Sequence, residues 1–288
     1  MKLAIIANPE KYSVKAPFIE VLNWADSRDI AVFFSEQLNE LCEQTLPSTI
    51  TETEKEAIDK ADIVITIGGD GSMLYAAGLM RSVSKPVLGI NSGRLGFLAN
   101  TQQSRIVEAL NCLLEEDYEI KKRHLLQAKD EDGNEYFALN EFLFSKKNST
   151  SMITASASYD GMFINKYWAD GLIVASSTGS TAYNLSSGGP IVMPNTNVMA
   201  LTPINPHTLT TRSVILPSNK ALEITIEKQQ HEVLFSYDGT SHKINSYPFK
   251  VSIQQSHQTL DLIELPGQNY FDTLRHKLMW GKDFRKRG

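Results

Sequence analysis

The chain has 288 residues, 42% of them apolar and 21% charged, with 17 glycines, 11 prolines and no low-complexity tract. That composition is ordinary for a folded globular protein and excludes a wholly disordered chain. The formal charge of −5 speaks against bulk electrostatic binding of nucleic acid, and the length has room for one large core or two ordinary ones.

Leu3-Ala4-Ile5-Ile6-Ala7 opens the chain as a short β-rich run that stops at Asn8-Pro9, too short for a signal-peptide core. No apolar stretch approaches membrane-spanning length, so a cytoplasmic protein with no membrane partner is expected. Val14, Phe18, Leu22 and Ala25 recur at helical spacing, as do Ile106, Leu110 and Leu113 later. Between them, Ile30 to Phe34, Ile63 to Ile67 and Val87 to Ile90 read as strands. The run Ile63-Val64-Ile65-Thr66-Ile67 is nearly all β-branched, which suits a strand covered by helices on both faces. This alternation predicts an N-terminal parallel α/β, Rossmann-like domain over residues 1–117.

From residue 118 to 265 the pattern becomes short strands and turns, and a mainly-β, β-sandwich-like domain is predicted. Asp132-Gly133 and Asp160-Gly161 stand where tight hairpins are expected. Runs at Gly171 to Ala175, Val214 to Leu216, Leu222 to Ile226, Glu232 to Tyr237 and Phe249 to Ile253 continue the theme, with one helix-like interruption after Ser180. A last amphipathic stretch, Phe271 to Met279, places Leu274 and Leu278 on one face, and the basic cluster Lys282 to Arg287 reads as a solvated tail, with an anion-contacting role as the minor reading. Cys42 and Cys112 form no CxxC pair, so neither a disulfide framework nor a zinc ribbon is supported, and a reducing compartment fits.

The strongest chemical signal is Gly68-Gly69-Asp70-Gly71-Ser72, directly after the β-branched strand and before a helix-compatible Met73 to Arg81. Glycines let the backbone bend sharply and bring N–H groups close to a phosphate, and a helix N-terminus favours an anion. Ser72 is a candidate cap for that helix. The turn lacks the GK[ST] ending of a Walker A loop, and Leu74 stands where the Rossmann fingerprint needs its last glycine. Asp-Gly occurs five times in the chain, so the dipeptide alone carries no weight, and a plain strand-to-helix turn with an exposed Asp stays open. Beside bound phosphates, however, Asp70 could orient an attacking hydroxyl and accept its proton. A second loop, Asn91-Ser92-Gly93-Arg94-Leu95-Gly96-Phe97-Leu98, offers either Arg94 for phosphate charge or a structural turn.

In the second half, Asp170-Gly171-Leu172-Ile173-Val174-Ala175 runs into a Ser/Thr- and Gly-dense stretch from Ser176 to Pro190. Thr178, Thr181, Ala182, Tyr183, Asn184, Leu185 and Ser186 lie in it. Flanked by apolar strands, such a stretch suits neutral hydrogen bonding to sugar hydroxyls, an amide and a pyrophosphate better than a flexible linker. Asn140-Glu141 places a polar pair inside an apolar strand, to be satisfied structurally or offered to a ligand. The six histidines show no metal-ligand or triad spacing, no protein metal ligands are assigned, and His207 reads as structural.

In order along the chain, Gly68-Gly69-Asp70-Gly71, Asn140-Glu141, the stretch from Asp170-Gly171 through Thr178-Gly179-Ser180-Thr181-Ala182-Tyr183 to Gly188-Gly189-Pro190, and Pro206-His207 with Arg212 resemble the NAD kinase family over about residues 3 to 265. The resemblance implies a two-domain transferase that moves the ATP γ-phosphoryl to the 2′-hydroxyl of the adenosine ribose of NAD, with segment 266–288 returning to the first domain. It implies Asp70 as the catalytic base and Gly68, Gly69, Gly71 and Ser72 as the phosphate and ATP loop. Asn140 and Glu141 would contact the adenosine portion. Asp70, Gly71, Asp170, Thr178, Thr181, Ala182, Tyr183, Asn184, Leu185 and Ser186 would complete the NAD site. ATP with a divalent cation, Mg²⁺, and assembly as a homodimer or homotetramer are likewise implied. Ser72 stands where Thr or Asn is common, Trp168 where a basic residue is frequent, and Thr240 where Gln is frequent. Alternatives are a lipid kinase of the diacylglycerol or sphingosine kinase type, which would need an apolar acceptor channel, and a non-catalytic NAD(P) sensor.

Overall fold

The structure is a computed structural model and describes residues 1–41, 49–51 and 53–279. Cys42 and the cluster Lys282 to Arg287 lie outside the described residues. The chain divides into two compact units, Met1–Lys122 with Leu260–Gly288, and Arg123–Thr259.

In the first unit, β1 (Lys2–Ala7), α1 (Lys15–Asp26), β2 (Ala31–Ser35), α2 (Glu36–Asn39), β3 (Thr49–Thr51), α3 (Glu54–Lys60), β4 (Ile63–Gly68), α4 (Asp70–Leu79), β5 (Pro86–Asn91), β6 (Thr101–Gln102) and α5 (Ile106–Leu114) follow one another. The strands lie side by side in the order β5-β4-β1-β2-β3, every pair parallel, and β6 adds to β5. Every residue of β4 is buried, as a strand clad on both faces requires. Leu3, Ile5, Ile63, Ile65 and Ile67 pack with Phe18, Val21 and Leu22 of α1 and Ile106, Leu110 and Leu113 of α5 in one core. Each such side chain contributes roughly 1.5–3 kcal/mol by burial. Ala4, Ile6 and Val64 point the other way and are equally buried. On that face Thr66 donates its hydroxyl to Met73 Sδ of α4 at 2.8 Å.

The second unit takes its strands from β7 (Glu119–Asp130), β8 (Glu135–Ala138), β9 (Glu141–Lys146), β10 (Ile153–Tyr159), β11 (Met162–Ala169), β12 (Gly171–Ser176), β13 (Val198–Ile204), β14 (Val214–Pro217), β15 (Leu222–Ile226), β16 (Val233–Tyr237), β17 (Thr240–Lys243) and β18 (Phe249–Glu264), with one short helix, α6 (Tyr183–Ser186). One antiparallel sheet runs β14-β13-β12-β9-β16-β17. The other runs β11-β10-β15-β18, with β7 pairing β18 and β8. Phe142, Phe144, Val174, Leu201 and Phe235 of the first sheet share one core with Ala155, Ala157, Ile224, Val251 and Ile253 of the second. Phe235 stacks on Phe142 at 5.6 Å and on Phe144 at 5.2 Å, the offset arrangement that aromatic rings favour. The β10–β11 hairpin turns on Asp160 (φ 51°) and Gly161 (φ 76°), the left-handed pair that a two-residue turn needs.

Two sequence expectations are corrected here. The helix after the glycine turn starts at Asp70 rather than Met73, and the last strand extends from Phe249 to Glu264, far past Ile253. In the first unit, Asp261 and Leu262 of β18 pair in parallel with Pro86 and Val87 of β5, and α7 (Tyr270–Leu278) follows. Among the described residues no helix is long and apolar enough to cross a membrane.

Candidate functional site

β4 ends on Gly68, whose φ of +152° disfavours a side chain; a Cβ there would stand 2.1 Å from Ser72 Oγ. Gly69 is the residue that caps α4, so Asp70 occupies the first helical position, where the helix dipole favours a carboxylate. Ser72 lies inside the first turn, too late to cap it, which corrects the capping role expected for it. The Asp70 carboxylate is held by the loop after β5. Phe97 N donates to Oδ2 at 2.9 Å, and Leu98 N and Ala99 N donate to Oδ1 at 2.9 and 3.0 Å. Lys277 Nζ of α7 stands 3.4 Å from Oδ2 and 4.9 Å from the Phe97 ring centroid.

The loop is shaped to deliver those donors. Asn91 closes it, donating to the carbonyls of Arg94 and Ala99 while its Oδ1 accepts from Gly93 N. A Cβ on Gly96 would fall 2.0 Å from Asp70 Oδ1, so only glycine allows this approach. Arg94 is exposed, and it is the backbone of its loop that meets Asp70. At the carboxyl end of β1, a cavity of about 410 Å³ is lined by Asn8, Lys11, Gln37, Glu54, Gly71, Ser72 and Tyr75, the place where parallel α/β sheets bind ligands. Tyr75 donates to Glu54 Oε2 at 2.6 Å, and that carboxylate pushes the phenol up to about 12.

In the second unit the polar pair lies elsewhere than expected. β8 ends at Ala138 and β9 starts at Glu141, so Leu139 and Asn140 form the bend between strands. Asp238 accepts the N–H groups of Leu139 (2.6 Å), Asn140 (2.8 Å) and Glu141 (3.4 Å). Glu141 Oε2 is buried without a hydrogen-bond partner. Burial, with the Asp238 carboxylate adding, raises the Glu141 carboxyl to about 7. The turn after β12 packs against the same bend: Ser176 Oγ donates to Leu139 O at 2.5 Å, Ser176 N to Asn140 O at 2.8 Å, and a Cβ on Gly179 would strike Asn140 O at 2.1 Å. Thr178 Oγ1 is buried there without a partner. Asp170 is bound by Lys146 Nζ at 2.5 Å and Asn205 Nδ2 at 3.2 Å, and the lysine holds its carboxyl below the usual range. Trp168 stacks on His207 at 4.6 Å, with His207 N donating to Trp168 O. A cavity of about 670 Å³ lined by Gln127, Asp130, Glu223 and Lys250 contains none of these groups.

Residues 3–118 match the family model of the ATP-NAD kinase N-terminal domain, and residues 139–265 that of the C-terminal domain. The chain belongs to the ATP-NAD kinase family. The NAD kinase of Cytophaga hutchinsonii is 37% identical over 277 residues, covering 93% of this chain and 94% of that protein. That of Flavobacterium psychrophilum is 35% identical over 99% of this chain and 100% of its own length. Among solved structures, a yeast NADH kinase complexed with NADH superposes with a TM-score of 0.91 at 23% identity, over 100% of this chain and 90% of that one. An Archaeoglobus fulgidus NAD kinase in complex with ATP gives 0.77 at 21%, over 96% and 99%. At those identities the structures speak for the fold alone. Membership sets aside the lipid-kinase alternative.

In the first unit of this NAD kinase family member, Gly68, Gly69, Asp70, Gly71 and Ser72 come together at one strand-to-helix turn. In the second, Asn140, Glu141 and Thr178 meet around one bend. Tyr183 and Ser186 are exposed, and Thr181, Ala182 and Leu185 half-buried, on the short segment beyond. Asn184 differs: it is fully buried, its amide donating to Ser180 O and Pro190 O and accepting from Thr202 Oγ1. Its side chain is thus taken up in holding the loop, and it offers no free group to a dinucleotide. Sequence reasoning passed over Asp238, whose Asp-Gly dipeptide was indistinguishable from the others, and Lys277, which looked like one of several cations on a terminal helix.

Proposed function

We propose that this protein is the kinase that phosphorylates NAD on the 2′-hydroxyl of its adenosine ribose, with ATP as donor and NADP and ADP as products. The observation that carries the reading is Asp70: a carboxylate at the first position of α4, clamped by three backbone N–H groups beside a glycine turn suited to phosphates. The ribose oxygen bonds to the γ-phosphorus, the bond from that phosphorus to the bridging oxygen breaks with its electron pair leaving on ADP, and the hydroxyl proton passes to Asp70. Backbone N–H groups of Gly69 and Gly71, with the Ser72 hydroxyl, receive the donor phosphates. Asn140, Glu141, Asp170, Thr178, Thr181, Ala182, Tyr183, Leu185 and Ser186 serve the dinucleotide, and Asn184 holds the shape of its loop.

Among the described residues no group of three His, Cys, Asp or Glu side chains could hold a metal ion, and Asp70 is surrounded by donors. In this reading the divalent cation, Mg²⁺, arrives on the ATP phosphates as part of the substrate. Assembly as a homodimer or homotetramer and a cytoplasmic location belong to the same proposal, and light scattering on the purified chain measures the first. The deciding assay supplies the full chain with ATP, Mg²⁺ and NAD and follows NADP. Asp70→Asn is expected to lower turnover by roughly 10²-fold or more while NAD still binds. A wild-type chain that binds NAD and makes no NADP would instead be a sensor.

A further inference from the structure

We infer that Lys277, in the last turn of α7, is a catalytic residue of this transfer: its ammonium group touches the acceptor hydroxyl at Asp70 and supplies positive charge to the phosphoryl group in flight. The inference rests on the reading of Asp70 as the acceptor of the hydroxyl proton.

A carboxylate has about four lone-pair positions. Oδ1 of Asp70 uses both of its own on Leu98 N and Ala99 N, and Oδ2 uses one on Phe97 N. The fourth position, on Oδ2, receives only the long 3.4 Å contact from Lys277 Nζ, and an incoming hydroxyl takes it by displacing that contact. A hydroxyl that hydrogen-bonds to Asp70 must therefore come to Oδ2, where its oxygen settles about 2.5–2.7 Å away and beside the ammonium. The hydroxyl cannot reach its base without meeting this lysine.

The position of the ammonium is built into the fold of the first unit. Asn269 caps α7 by accepting from Asp272 N at 2.9 Å, and Leu274 is buried. Gln268 donates to Asn100 O and Thr101 Oγ1, both at 3.3 Å, next along the chain from the donors that clamp Asp70. The Tyr270 ring lies 6.0 Å from the Phe97 ring, and that ring also carries the Lys277 ammonium on its face. α7 and the loop from Asn91 to Thr101 thus hold the carboxylate and the ammonium together. Lys277 has three N–H donors and, among the described residues, makes one long polar contact, to Asp70, which leaves donors for a further anion.

The chemistry then couples the two charges. As the ribose oxygen bonds to the γ-phosphorus and its proton moves to Oδ2, Asp70 becomes neutral and its pull on Lys277 falls. At the same stage negative charge gathers on the phosphoryl oxygens, and the bond to the ADP oxygen breaks with the electron pair staying on ADP. Lys277 turns its remaining donors to those oxygens, a cation aimed where charge develops.

The test compares the full-length wild type with Lys277→Met, Lys277→Arg and Lys277→Ala, measuring kcat, the KM for NAD, the thermal midpoint, and the rate with added ethylammonium. Expected are a kcat about 10²-fold lower in Lys277→Met with KM and midpoint unchanged, partial activity in Lys277→Arg, and saturable recovery of Lys277→Ala by the amine. A Lys277→Met enzyme as fast as wild type overturns the inference. So does a loss of rate that follows the thermal midpoint and that no amine restores, since the lysine would then be only a surface ion pair. A wild-type chain that forms no NADP fails at the earlier step and overturns the reading of Asp70 itself.

Discussion

Two aspartates do the same physical work at the heart of each unit. Asp70 gathers the N–H groups of residues 97–99 and Asp238 those of residues 139–141, turning a bend of backbone donors into a defined surface. Hydrogen bonds to a charged acceptor contribute roughly 1.5–3 kcal/mol each, enough to hold a loop in one shape. Glu141 is the cost of that arrangement, because its carboxyl is buried near Asp238 and raised to about 7 from an ordinary 4.5. The folded state therefore holds this proton more tightly than the unfolded chain. The stabilisation is fully present below about pH 4.5 and is lost as pH rises through about 7, by at most ~3 kcal/mol. Glu141→Gln, which cannot ionise, is expected to gain on wild type in urea midpoint between pH 5 and pH 8; a difference that stays constant with pH would contradict this. Gly68-Gly69-Asp70-Gly71 was legible in the sequence because its reason is local: a sharp turn and a helix N-terminus. Gly96 and Asn91 were not, because their reason is a carboxylate distant in the chain.

At the level of elements, periodicity located β1, β2, β4, β5, α1 and α5 to within a residue or two, since burial of alternate residues or of one helical stripe is written directly in residue order. Ends were harder, because ends are decided by what arrives from elsewhere. Lys85 gives a clear case: its ammonium donates to the carbonyls of Ile58 (2.5 Å), Asp59 (2.7 Å) and Ala61 (2.6 Å), closing the C-terminus of α3 from the start of another strand. Lys85→Met is expected to cost about 1–2 kcal/mol in urea unfolding and to speed hydrogen exchange in α3 before other helices. Equal exchange rates in variant and wild type would show that water replaces the lysine without loss. The long β18 was read short for a similar reason. Its far end is buried by pairing with β5, whereas Gln254, Gln255 and Ser256 look in sequence like the start of a loop.

For the whole molecule, a kinase of this family should be stabilised by its product. NADP at 100 times its dissociation constant is expected to add about 2.7 kcal/mol and to raise the thermal midpoint, while vesicles of diacylglycerol leave it where it is; protection by the lipid alone would point to another acceptor. The sequence by itself determined the α/β-then-β order, the glycine turn and the family, since periodicity, glycine placement and motif order are properties of the chain read in one dimension. Only the tertiary structure decided what surrounds Asp70. Three backbone donors from a later loop and one lysine near the end of the chain converge on a single carboxylate, and nothing in the spacing of residues 70, 97–99 and 277 records that meeting. Backbone N–H groups carry no residue identity, and a terminal lysine has the same letter whether it faces water or a reaction centre.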